Sequence, residues 1–124
     1  MKHTLFIFLY SFYTLGQGEF TVYFPTDKSY MLHSSKLELI KKINSKQILS
    51  VTGLKGFTDS TASDVYNNEL AHKRVLDIQY FLIANGLTLA KGFNSVALGE
   101  NFDQDPGLSK NRKVIIQYIE SNQS

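Results

Sequence analysis

The feature that most constrains this chain is a change of hydrophobic period. Ala71, Val75, Ile78 and Leu82 step by four, three and four residues, which places them on one stripe of an α-helix. Asn85-Gly86 then supplies a stop, because glycine enters the left-handed region without steric cost. On either side the pattern changes to that of strands. Residues 20–24 (FTVYF) are β-branched and aromatic and end at Pro25. Residues 47–54 (QILSVTGL) alternate, 94–98 make a short third strand, and 113–119 (KVIIQYI) are the clearest strand of all. Leu37, Ile40 and Ile43 recur near helical spacing, and Ser35-Lys36-Leu37-Glu38 fits a capping box, so a first helix is predicted between strands one and two. The loops fall at 55–63 and around Asp105-Pro106-Gly107. The order β-α-β-α-β-β predicts an α/β layer, with helices packed on a sheet. A helical crossover favours parallel pairing of strands one and two. The strand order stays open at this point.

The chain has 124 residues, enough for one domain with one core. Its net charge of +2 argues against nucleic-acid binding and against a polybasic membrane anchor. It has no cysteine, which excludes disulfides, thiolate metal sites and a cysteine nucleophile. Residues 1–18 (MKHTLFIFLYSFYTLGQG) have a basic start, an apolar run and small residues at the end. The run is about 18 Å long as a helix, against about 30 Å of bilayer core. This layout predicts a signal peptide over residues 1–16, cleaved after Gly16 or Gly18, and a mature domain over 19–124. No other stretch approaches the length of a membrane span.

One constellation carries chemistry. Asp59 sits in the loop before the second helix, and Asn67, Leu70 and Arg74 follow at i, i+3 and i+7 on one helical face. Helical side chains lean toward the N-terminus, so Arg74 leans back toward Asp59, its stem shielded by Leu70 and Ile78. A guanidinium grips a carboxylate through two parallel bonds, an aspartate pairs with an ammonium, and a helix start adds amide donors. Together these suit a zwitterion such as an amino-acid head group. Taken alone, Asp59 also reads as a turn or cap residue, and Arg74 as a salt bridge to Asp59, Asp77 or Glu69.

The same stretch resembles the OmpA-like peptidoglycan-binding domain. The family pattern T-D-x-x-G-x-x-x-Y-N-x-x-L-S-x-x-R-A is matched by Thr58-Asp59, Tyr66-Asn67, Leu70 and Arg74 at unchanged spacing. Gly99-Glu100, Asn111-Arg112-Lys113-Val114 and residues 22–29 (VYFPTDKS) resemble its other landmarks. The resemblance covers about residues 20–120. It implies a mixed four-stranded sheet with helices packed on it, and non-covalent binding of the diaminopimelate in the peptidoglycan stem peptide. It implies Asp59 and Arg74 as the principal pair, with Thr58, Asn67, Leu70 and Arg112 as secondary contacts or supports. It further implies a periplasmic location in a Gram-negative cell, beside the outer membrane, with a tether through an envelope protein partner, no cofactor and no catalysis.

Three positions depart from the pattern. Ala62 replaces a glycine, Ala71 a serine and Lys113 an arginine. If these weaken wall binding, the chain reads instead as a structural subunit of an envelope complex. The histidines do not assemble: His3 lies in the leader, His33 in a loop and His72 beside Lys73. Glu100, Asp103 and Asp105 lack EF-hand spacing and read as a solvated loop. No metal site and no serine-histidine-acid set is expected.

Overall fold

A computed structural model describes residues 13–59, 63–99 and 111–123. The elements are β1 (Tyr13–Tyr23), α1 (His33–Asn44), β2 (Ile48–Phe57), α2 (Asp64–Ala84), β3 (Leu89–Gly99) and β4 (Lys113–Gln123). They form one mixed four-stranded sheet in the order β1-β4-β2-β3. The order β-α-β-α-β-β and the helix-covered sheet agree with the sequence. The expected pairing of strands one and two does not. β4 lies between them, antiparallel to both, so β1 and β2 run the same way without touching. The parallel pair is β2 with β3, joined by the crossover helix α2.

The helices cover one face. Val22 and Phe24 of the first strand segment, Val114, Ile116 and Tyr118 of β4, and Ile48, Val51 and Leu54 of β2 meet Leu39, Ile43, Val75, Ile78 and Leu82 from the helices. Ile48, Val51 and Leu54 are three residues apart, not two. Register shifts between β2 and β4 at 48/50 and 51/53 reset the pleat, so all three reach the core. Gly56 lets α2 lie close against the sheet. A Cβ there would stand 2.5 Å from Val75 Cγ2 and 2.8 Å from the Ala71 carbonyl oxygen. Ala71 is fully buried on that face, so the serine-to-alanine departure falls in the helix–sheet seam.

α2 carries its predicted stripe: Ala71, Val75, Ile78 and Leu82 are all buried. Ser63 Oγ accepts from the Tyr66 amide at its start. Asn85-Gly86 ends it, with Gly86 at φ 87 and the Leu87 amide donating to the Leu82 carbonyl at 3.1 Å.

α1 differs from expectation in register. Its buried residues are Ser35, Leu39 and Ile43, whereas Leu37 is 54% exposed. The capping box is not formed either; the helix starts earlier, after Leu32, without a side-chain cap. The reason is that Ser35 Oγ serves the sheet, accepting from the Tyr23 amide at 3.0 Å. With the Leu32 amide donating to the Tyr23 carbonyl, this fastens α1 to the end of β1. Ser35→Ala would leave that amide without an acceptor in a half-buried place. The expected cost is about 1–2 kcal/mol, read as a lower urea midpoint at unchanged m-value.

β1 also starts earlier than expected. Tyr13 to Gly16 pair with Gln123 to Glu120, so the strand takes in the last residues of the segment read as a leader. Cleavage after Gly16 would leave a β1 of residues 17–23. The second, third and fourth strands likewise run beyond their predicted ends, to Phe57, from Leu89 and to Gln123. Residues 1–12, Ala62 and the acidic loop with Glu100, Asp103 and Asp105 lie outside the described residues.

Candidate functional site

Because β1 and β2 run the same way and β4 returns between them, one end of the sheet gathers three chain segments. These are the loop after β1, the Thr58-Asp59 segment after β2, and Asn111-Arg112 before β4. α2 begins at this end and runs back along the sheet. Its Asn67, Leu70 and Arg74 are 1%, 8% and 0% exposed, so the predicted face is the buried one.

Arg74 is the largest fully buried side chain among the described residues. Its Nε donates to the Lys28 carbonyl at 2.9 Å, Nη1 to the Phe57 carbonyl at 3.2 Å and Nη2 to the Pro25 carbonyl at 3.0 Å. The guanidinium carbon stands 5.0 Å from the centre of the Phe24 ring. Arg74 therefore staples the loop after β1 to the end of β2. A guanidinium has five N–H groups, so two remain, and no acceptor meets them among the described residues. Burial lowers its pKa to about 10, opposed by the nearby charge of Asp59. It is still cationic at neutral pH.

Asp59 is 4% exposed and pairs with Arg112, Nη1 to Oδ2 at 3.0 Å. Arg112 Nε donates to the Phe24 carbonyl at 3.0 Å, which holds the guanidinium across the strand ends. Asp59 acts on Arg74 through its charge, and no ion pair from Arg74 to Asp59, Asp77 or Glu69 forms among the described residues. Beside Asp59, Thr58 is 1% exposed, and its hydroxyl meets no partner among the described residues. A buried hydroxyl in that state costs stability unless something else bonds to it.

The structure thus brings Asp59, Thr58, Asn67, Leu70, Arg74 and Arg112 to one end of the sheet. Sequence spacing does not reveal the loop after β1, whose carbonyls hold Arg74. Its Asp27 has φ 60 and, with Ser29, lines a small hollow of about 120 Å³ completed by Tyr66, Glu69, Leu70 and Lys73. The sequence marks it by the turn chemistry of Pro25-Thr26-Asp27-Lys28 and by the 22–29 landmark, neither of which shows what its carbonyls bond. The Lys113 ammonium lies 5.2 Å from the centre of the Phe57 ring. His72 is exposed. Among the described residues no cluster of three metal-ligating side chains forms, and no helix is long and apolar enough to cross a membrane.

No family model and no curated protein matches the chain by sequence. Its three-dimensional likenesses are clear. The OmpA-like domain of FopA1 from Francisella tularensis superposes with a TM-score of 0.61 at 21% identity, over 90% of this chain and 81% of that one. The peptidoglycan-associated lipoprotein from Burkholderia pseudomallei does so with a TM-score of 0.57 at 19% identity, over 82% and 89%. The C-terminal domain of MotB from Helicobacter pylori gives 0.57 at 26% identity, over 81% and 83%.

Proposed function

We propose that this chain, which has the fold of the OmpA-like domains, is a non-enzymatic module that binds peptidoglycan in the cell envelope. On this reading it holds the zwitterionic end of diaminopimelate in the stem peptide. The observation that carries it is the meeting of unsatisfied and charged groups at one buried place. The Arg74 guanidinium keeps two N–H groups beyond its carbonyl bonds, and the Thr58 hydroxyl is unmatched beside the Asp59 carboxylate. A ligand carboxylate would complete the donors, and a ligand ammonium would meet Asp59. Asn67 and Leu70 would form the wall, and Arg112 would hold Asp59 in place. The likeness to a peptidoglycan-associated lipoprotein supports the same direction. A leader over residues 1–16 would deliver the chain to the periplasm of a Gram-negative cell. The mass of the exported protein reads where that leader ends.

One observation favours a second reading, a structural subunit that assembles with an envelope protein partner. Three Arg74 donors and one Asp59 oxygen are already engaged within the fold. Co-sedimentation with purified sacculi separates the two. The first reading expects wild-type protein in the pellet, and its release by free meso-diaminopimelate. Protein that stays in the supernatant would sink it and leave the subunit reading standing.

A further inference from the structure

α2 carries a second stripe beside its buried one. Tyr66, Leu70, Lys73, Asp77 and Phe81 step by four, three, four and four residues, so they lie in one line along the helix. That line is a wall of two hollows. The small hollow with Asp27 and Ser29 takes Tyr66, Leu70 and Lys73. It adjoins the candidate site: Leu70 belongs to both, and the charge of Asp27 acts on Arg74. A larger hollow of about 560 Å³ follows, lined by Asp77, Ile78 and Phe81 on α2 and by Tyr30, Met31 and Lys36 across from them. Ser29 lines both hollows, so they form one groove between α2 and the chain that leads from β1 into α1. The larger hollow has an apolar floor. Ile78 is buried in the core, and Met31 and Phe81 pack against it. Tyr30 stands 61% exposed at the rim. The Lys36 ammonium lies 6.0 Å from the centre of the Phe81 ring, and Asp77 has neither ion pair nor hydrogen bond among the described residues. One carboxylate and one ammonium balance in charge. Over an apolar floor with two aromatic rings, they suit an uncharged ligand with an apolar face and a polar edge.

We infer that the larger hollow holds the muramyl sugar from which the bound stem peptide hangs, an assignment that rests on the reading of diaminopimelate at Asp59 and Arg74. Length supports it. From Leu70 to Phe81 is eleven residues, about 16 Å along the helix. In the stem, two residues separate diaminopimelate from the lactyl group of the sugar. With the diaminopimelate side chain and the lactyl group counted as links, an extended stem covers about 15–20 Å at about 3.3–3.6 Å per link. The sugar therefore reaches the larger hollow when the free end of diaminopimelate is at Arg74. Chemistry supports it too. Once its lactyl carboxyl is joined to the peptide, the sugar is uncharged. Its apolar ring face lies against Tyr30 and Phe81, and its N-acetyl methyl meets the floor at Met31 and Ile78. A sugar hydroxyl donates to the Asp77 carboxylate, and another accepts from the Lys36 ammonium. A stem peptide without its sugar leaves this hollow unfilled.

Calorimetric titration of the full chain with three ligands tests this. They are free meso-diaminopimelate, the stem tripeptide that ends in it, and the same tripeptide on N-acetylmuramic acid. The muramyl tripeptide is expected to bind about tenfold tighter than the bare tripeptide. Tyr30→Ala and Asp77→Asn should each reduce that advantage and together erase it, with affinity for the bare tripeptide unchanged. Both side chains are exposed, and urea midpoints confirm that the fold is kept. Equal affinities of the two peptides for wild type overturn the assignment and leave the diaminopimelate reading standing. So does a sugar advantage that survives the double variant, because the sugar then lies elsewhere. Absence of binding by all three ligands removes the reading and the assignment together.

Discussion

Arg74→Ala is expected to lower the stability of the domain by about 3–5 kcal/mol, whatever the ligand. The side chain is fully buried, and three backbone carbonyls from two chain segments converge on it. Truncation leaves a cavity over Phe24 and three carbonyls without their charged donor. Arg74→Lys should recover only part of the loss, since a single ammonium cannot span the carbonyls of Pro25, Lys28 and Phe57. Urea unfolding of the three proteins measures this. A midpoint for Arg74→Ala within error of wild type would show that the guanidinium is not a staple. The charge adds no pH dependence near neutrality. Its folded pKa, about 10, lies below the ordinary arginine value, so the unfolded chain holds the proton more tightly only between the two. Desolvation of the cation opposes folding at every pH below about 10, and the penalty is relieved as pH rises through that window. A binding assay on Arg74→Ala alone would therefore mix loss of fold with loss of contact.

The structure also explains which parts of the site the sequence makes legible. The β-α-β-α-β-β order, the α2 stripe and its Asn85-Gly86 stop follow from periodicity and turn chemistry, which are local. So does the shared face of Asn67, Leu70 and Arg74, because helical spacing alone determines it. The register of α1 is not local: Leu39 is buried instead of Leu37 because Ser35 must reach the Tyr23 amide on another element. The Asp59–Arg112 pair depends on β4 lying between β1 and β2, and nothing in either segment specifies that order. The partners of Arg74 are backbone carbonyls, which leave no mark in a sequence. The spacing therefore places Arg74 on the buried face of α2, while the carbonyls that hold it come from elsewhere in the chain.

Asp59→Asn is the sharper probe of the site, and it is expected to abolish retention on sacculi. The substitution keeps the shape of the side chain and removes one charge. In the folded protein that charge sits between two cations, bonded to Arg112 and felt by Arg74. On the proposed reading it is the group that would meet a ligand ammonium. Losing a buried charge partner typically weakens binding by about 2–5 kcal/mol, a factor of tens to thousands. The same change should cost the fold about 1–3 kcal/mol, less than Arg74→Ala, because Arg112 keeps its bond to the Phe24 carbonyl and an amide oxygen can still accept. The two effects separate in one experiment. Asp59→Asn should unfold cooperatively at a modestly lower urea midpoint, yet remain in the supernatant under conditions where folded wild-type protein pellets with sacculi. Full retention of folded Asp59→Asn would remove Asp59 from the binding site and leave it a strut for Arg112.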